Sequence, residues 1–146
     1  QIVGSQVVVT FAISAISALV LVAVAMPLHD VVNPDSLLLV LAGFGLGALA
    51  FSAFGVLLGA LLPTARAAQA LGVMLWFLML MVGGAGPPPE VLTGAMSTVG
   101  DLTPLRHAVR VMQDGWLSLD AGLSWVIVGA IFVGSALLAM RFFRWE

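Results

Sequence analysis

GGAGPPPEVLTGAMSTVGDLTPLRHAVRVMQDGW, from Gly83 to Trp116, is a polar interruption lodged between hydrophobic stretches long enough to cross a bilayer. It is too apolar and too well patterned to be a plain loop. Pro87 to Pro89 stiffen its first part, and Thr103-Pro104 marks a helix start: Thr suits the N-cap, and Pro suits the first helical position. In the helix that follows, Leu105, Val109, Met112 and Trp116 form one apolar line, while Arg106, Arg110 and Gln113 run along another face. That pattern fits a helix lying in the membrane interface or dipping into it. Upstream, Val91, Leu92, Ala95, Met96 and Val99 give a shorter apolar face. A helix, a turn at Gly100-Asp101 and a second helix make a re-entrant hairpin; the plainer reading is an interfacial cap that covers helix ends.

The rest of the chain sets this segment in lipid. Hydrophobic residues make up 62% and charged residues 8%, with a mean hydropathy of +1.18, far outside the soluble globular range. The apolar runs are too long and too numerous for one secretory signal, and the first lacks a basic leading region and a small-residue cleavage site. Without Cys, the chain has no disulfide, thiolate metal site or cysteine nucleophile. All five basic residues are Arg, and the bias towards Ala, Gly, Val and Arg suggests a GC-rich bacterial genome. A start at Gln1 rather than Met reads as a piece of a longer protein.

Four spans are expected within one all-α transmembrane domain, over residues 4–26, 37–62, 67–83 and 121–140, with the re-entrant or interfacial segment at 84–116. The first would be roughly 34 Å of helix at 1.5 Å per residue, enough for a hydrocarbon core of about 30 Å. Pro27 is expected to stop it, and LHDVVNPDS turns the chain through Asn33-Pro34. Leu62-Pro63-Thr64-Ala65-Arg66 makes a tight second turn, and RFFRWE closes the chain with interfacial Arg and Trp anchors. Four spans put both ends on one side. Cytoplasmic ends place Arg66, Arg141 and Arg144 inside against Arg106 and Arg110 outside, the orientation that the positive-inside rule prefers.

Two patterns within the spans bear on function. Gly43, Gly47, Gly55 and Gly59 fall on a spacing of four interrupted only by Phe51, read as two GxxxG pairs on one face. Such a face lets helices approach closely in lipid; it serves packing within one bundle or, more sharply, a sliding or dimer-forming surface. Gln6, Thr10, Ser14 and Ser17 form a polar stripe along the first span, suited to interhelical hydrogen bonds or to lining a path for an amphiphilic substrate.

An absence narrows the chemistry further. The central parts of the four spans hold no Asp, Glu, Lys, Arg or His, whereas ion-coupled carriers generally keep an ionisable group there. Intramembrane hydrolases need a nucleophile with a base, or a metal with several ligands. The histidines, His29 and His107, lie in connecting segments, and neither HExxH nor GxSxG occurs. Two lone imidazoles fall short of an ordinary metal or haem site, so no metal ligand or catalytic residue is assigned. Energy for transport would have to come from another polypeptide.

From Pro63 to Trp145 the order of features resembles the membrane (permease) subunit of type-2 ATP-binding-cassette exporters, the permeases that move drugs, polyketides, polysaccharides and lipids out of bacteria. The residues that carry the resemblance are LLPTARAAQALG (Leu61 to Gly72) after a Gly-rich span, a hydrophobic span ending in Gly83-Gly84, a Pro-rich segment, LTPLRHAVRVMQDGW (Leu102 to Trp116), a final span and a basic, aromatic end. Thr103-Pro104-Leu105 followed by a helix carrying Arg110 is the most specific element. GPPPEVLTGAM is more Pro-rich than the family's usual aromatic-Pro pattern.

The resemblance implies the C-terminal four of six spans, without the first two and the coupling helix that meets the nucleotide-binding subunit. It implies a bacterial inner-membrane protein with cytoplasmic ends, a second permease copy, and a separate ATPase subunit that binds ATP and Mg. No cofactor is expected on this chain and no nucleic acid is implied. The substrate would be lipophilic: a drug, an antibiotic, a lipid or a lipid-linked glycan. Thr103, Pro104, Arg106, His107 and Arg110 become re-entrant or gating candidates. The competing class is a non-transporting membrane scaffold, whose polar stripe and glycine face serve packing alone.

Overall fold

A computed structural model describes residues 2–29, 33–87 and 91–142, with side chains of the first helix described over 8–28. Six helices follow one another among these residues: α1 (Ile2–His29), α2 (Leu37–Leu61), α3 (Ala65–Val82), α4 (Gly94–Asp101), α5 (Pro104–Leu117) and α6 (Gly122–Phe142). Four of them, α1, α2, α3 and α6, are long and apolar enough to span a membrane. The protein is therefore an all-α, polytopic helical bundle with a helical hairpin, α4–α5, before its last span.

Local chemistry sets the helix ends. The Ser36 hydroxyl accepts from Leu39 N–H at 3.4 Å to cap α2, and the Thr64 hydroxyl accepts from Ala67 N–H at 3.1 Å to cap α3 directly after Pro63. Pro27 does not stop the first helix, which runs two residues further to His29. A proline near a C-terminus removes one backbone bond and leaves the few remaining residues free to stay helical. At the end of α5, Ser118 takes the left-handed conformation (φ 49°), and its hydroxyl donates to Asp35 Oδ2 at 2.8 Å, which ties the reversal to the start of α2. His29's side chain, Asp30, Pro88 to Glu90 and the terminal Arg144 and Trp145 lie outside the described residues.

The core is α2, α5 and α6. Alongside Leu57, α2 buries Gly43, Gly47 and Ala50; α6 buries Ser124, Val128, Ser135 and Ala139. Most of these residues are small, as close helix packing in lipid requires. By contrast α3 buries no residue, and α1 packs chiefly on α2, where Phe11 and Phe44 set their rings 6.2 Å apart.

The glycine pattern of α2 differs from the one-face reading. A four-residue step advances 400°, so each step drifts about 40° around the helix, and Gly55 and Gly59 lie about 120° and 160° from Gly43. The buried stripe accordingly passes from Gly43 and Gly47 to Ala50 and Leu57, and Gly55 and Gly59 are exposed with open space beside them.

Candidate functional site

The hairpin helix α5 lies against α2 in antiparallel register. A Cβ on Gly115 would stand 2.5 Å from Val40 N, one on Gly43 would stand 2.8 Å from Val111 Cγ1, and one on Gly47 would stand 3.8 Å from Ala108 Cβ. Further along, Pro104 joins Ala50, Phe51, Phe54, Val128 and Ile131 around a void of about 10 Å³. Gly47 and Ala50 are ten and thirteen residues beyond Leu37, roughly 15–20 Å along α2, which brings the start of α5 to mid-span. The hairpin thus lies along α2, with its tip level with the middle of that helix and its C-terminal end beside the start of it.

Complementary helix ends hold that junction. A helix leaves its first N–H groups and last C=O groups without internal partners. Here the carbonyl of Gly115 accepts from Ser36 N–H at 3.0 Å, and that of Trp116 from Asp35 N–H at 3.5 Å, so the end of α5 and the start of α2 satisfy each other.

The face of α5 turned to the core is not its apolar line. Arg106, His107, Ala108, Val111 and Gly115 are buried, whereas Leu105, Val109, Met112 and Trp116 are half-buried. Hydrophobic periodicity fails here because α2 approaches too closely for large side chains: Gly43 and Gly47 receive Val111 and Ala108. Arg106 and His107 can accompany them inward because each finds partners. Arg106 Nε pairs with Asp101 Oδ1 at 2.9 Å, and its Nη1 donates to the Ser97 carbonyl at 3.3 Å. His107 Nε2 lies 2.9 Å from the Asp101 carbonyl, which only accepts, so this nitrogen carries the hydrogen. In the neutral ring Nδ1 then accepts from the Ser124 hydroxyl, 3.2 Å away on α6. Among the described residues, no buried side-chain polar atom lacks a partner.

Asp101 is the hub, and reading the sequence as a turn at Gly100-Asp101 did not foresee it. Its Oδ1 also takes Arg110 Nη2 at 3.3 Å, so one carboxylate serves two guanidiniums while its carbonyl holds His107. Ser124 and the Trp125 Nε1–Asp114 Oδ2 bond of 2.9 Å were likewise unforeseen. No local pattern marks Ser124 or the Trp125–Asp114 bond, since those partners lie 17 and 11 positions apart. Thr103 occupies the N-cap of α5, but its hydroxyl donates to the Gly100 carbonyl at 2.7 Å rather than capping the helix. Pro104 stands at the first helical position.

The remaining candidates are scattered. On α1, Thr10 and Ser17 are exposed and Ser14 is half-buried, while the side chain of Gln6 lies outside the described residues. None meets the hairpin cluster in any described hydrogen bond. Nor do three His, Asp or Glu side chains gather as a metal site needs, among the described residues.

A family model, ABC-2 type transporter, matches residues 1–117, from the first span through the end of α5. No curated protein and no solved structure matches the chain. With four apolar helices long enough to span a membrane and a family match over most of its length, the chain is a multi-pass membrane protein belonging to the ABC-2 type transporter family.

Proposed function

We propose that this chain is the permease part of an ATP-driven exporter, which moves a hydrophobic or amphiphilic substrate (a drug, an antibiotic, a lipid or a lipid-linked glycan) out of a bacterial cell. The observation that carries the reading is the family match, which includes the hairpin as well as the first three spans. The energy source in this reading is the one the family implies: a separate ATPase subunit binds ATP and Mg and drives the cycle. Two permease copies, ends in the cytoplasm of an inner membrane, would rock between inward- and outward-open states. The open flanks of α1 and α3 leave room for neighbouring helices.

In this reading Gln6, Thr10, Ser14 and Ser17 line the path, and Thr103, Pro104, Arg106, His107 and Arg110 form the part of the hairpin that closes its outer end. Gly55 and Gly59, open in this chain, would serve contact with another helix, while Gly43 and Gly47 seat α5. Affinity purification from the native membrane is the test. Recovery of a nucleotide-binding subunit whose ATPase rate rises with lipophilic compounds is expected; a chain recovered repeatedly without one overturns the exporter and favours the scaffold. The stripe has its own check: in a cysteine scan, uniform protection of positions 6, 10, 14 and 17 from a water-soluble thiol reagent in every nucleotide state removes it from the path.

A further inference from the structure

The Asp101 carboxylate is shared by two arginines, so these three side chains carry a net charge of +1, while the Asp114 carboxylate one turn along α5 accepts from Trp125 Nε1. The two arginines are not equivalent. Arg106 is buried and also donates to the Ser97 carbonyl, whereas Arg110 is 46% exposed and meets only Asp101 among the described residues. A guanidinium offers five N–H donors in a planar fork that matches phosphate oxygens two at a time. Most of that fork on Arg110 is open.

Its depth decides what can fill it. Val111 against Gly43 and Ala108 against Gly47 put Arg110 beside the first half of α2, about 9–15 Å past Leu37. A charge at that level is strongly disfavoured without a counter-charge, and a long Arg side chain reaches towards the interface to find one. On the neighbouring arm, Met96, Val99 and Leu102 are exposed at i, i+3, i+6 spacing and present an apolar line to the surroundings.

We propose that Arg110, held by the Asp101–Arg106 pair, binds the phosphate head of an anionic phospholipid whose acyl chains lie along the Met96–Val99–Leu102 line. Charge complementarity supplies the head-group preference, and the exposed apolar line favours a lipid over a free phosphate, which has nothing to cover it. The site rests on the membrane placement of the chain and not on the exporter reading, so either can fail without the other.

The test is native mass spectrometry of the full-length protein, delipidated in detergent and titrated with phosphatidylglycerol or phosphatidylcholine. Phosphatidylglycerol should bind about fivefold more tightly, the effect of one basic residue on an anionic lipid. Arg110→Gln should abolish the preference, Arg110→Lys should retain most of it, and Arg66→Gln, at the start of α3, should leave it unchanged. Circular dichroism verifies that each variant is folded. Equal affinity for the two lipids in the unsubstituted protein overturns the proposal, as does a preference that survives Arg110→Gln. Displacement of phosphatidylglycerol by an equal concentration of glycerol phosphate assigns the site to soluble phosphate and overturns it as a lipid site.

Discussion

Gly115 has no room for a side chain, since an added Cβ would meet backbone atoms of Val40 and Leu39 at 2.5 and 2.8 Å. Backbone cannot swing aside, so Gly115→Ala should destabilise the protein by about 1–3 kcal/mol, the usual range for overpacking. Gly43→Ala meets the stiff Val111 side chain at 2.8 Å and its carbonyl at 3.1 Å and should fall at the lower end of that range, whereas Gly55→Ala and Gly59→Ala enter open space within the chain and should be neutral or slightly stabilising in the isolated subunit. Thermal unfolding in detergent ranks the four; equal shifts would refute the register of α5 on α2. The ion pairs are graded by burial. Asp101→Asn deprives buried Arg106 of its anion and should lower the unfolding temperature more than Arg110→Gln, which removes a half-exposed partner. Replacing His107 with Ala leaves the Ser124 hydroxyl without its described partner and should cost about 1–3 kcal/mol.

At the level of elements, the hairpin is held at both ends by different means. Its tip is wedged where Gly100 passes the Val82 carbonyl and Pro104 meets the middle of α2, and its outer end is fastened by Ser118 to Asp35. Leu102 beside the tip is exposed on the protein, so at mid-span it faces lipid, and a Cys introduced there should resist a membrane-impermeant thiol reagent, while one at Ser118 should react readily. The native chain has no Cys to confuse the result. Rapid labelling at both positions would turn the re-entrant hairpin into a surface cap. In the double variant Asp35→Cys/Ser118→Cys a disulfide should close on mild oxidation, detected as faster migration on a non-reducing gel.

Across the whole molecule, order is concentrated in α2, α5 and α6, and the two other spans lean on that core. None of the spanning part of α1 is buried, and α3 buries no residue. Removing residues 1–32 should thus leave the Asp35→Cys/Ser118→Cys cross-link intact in the membrane, with its yield measured on the same gel. Loss of the cross-link would show that α1 holds the core together. Helices with such open flanks are in contact with lipid or with other spans, and in lipid that exposure carries no hydrophobic penalty.

Length and hydropathy alone determined the four spans and the helical class, because backbone groups in hydrocarbon must be satisfied within a helix. The Thr103-Pro104 start was legible for the same local reason: Pro at the first helical position loses no bond. Which face of α5 turns inward was decided only by the tertiary structure. Gly43 and Gly47 admit its backbone more closely than large apolar side chains allow, so Ala108, Val111 and Gly115 pack there, and Arg106 and His107 follow because Asp101 and Ser124 satisfy them. Asp101 reaches them across the hairpin turn, but Ser124 comes from α6, 17 positions from His107, and no spacing along the chain encodes that meeting.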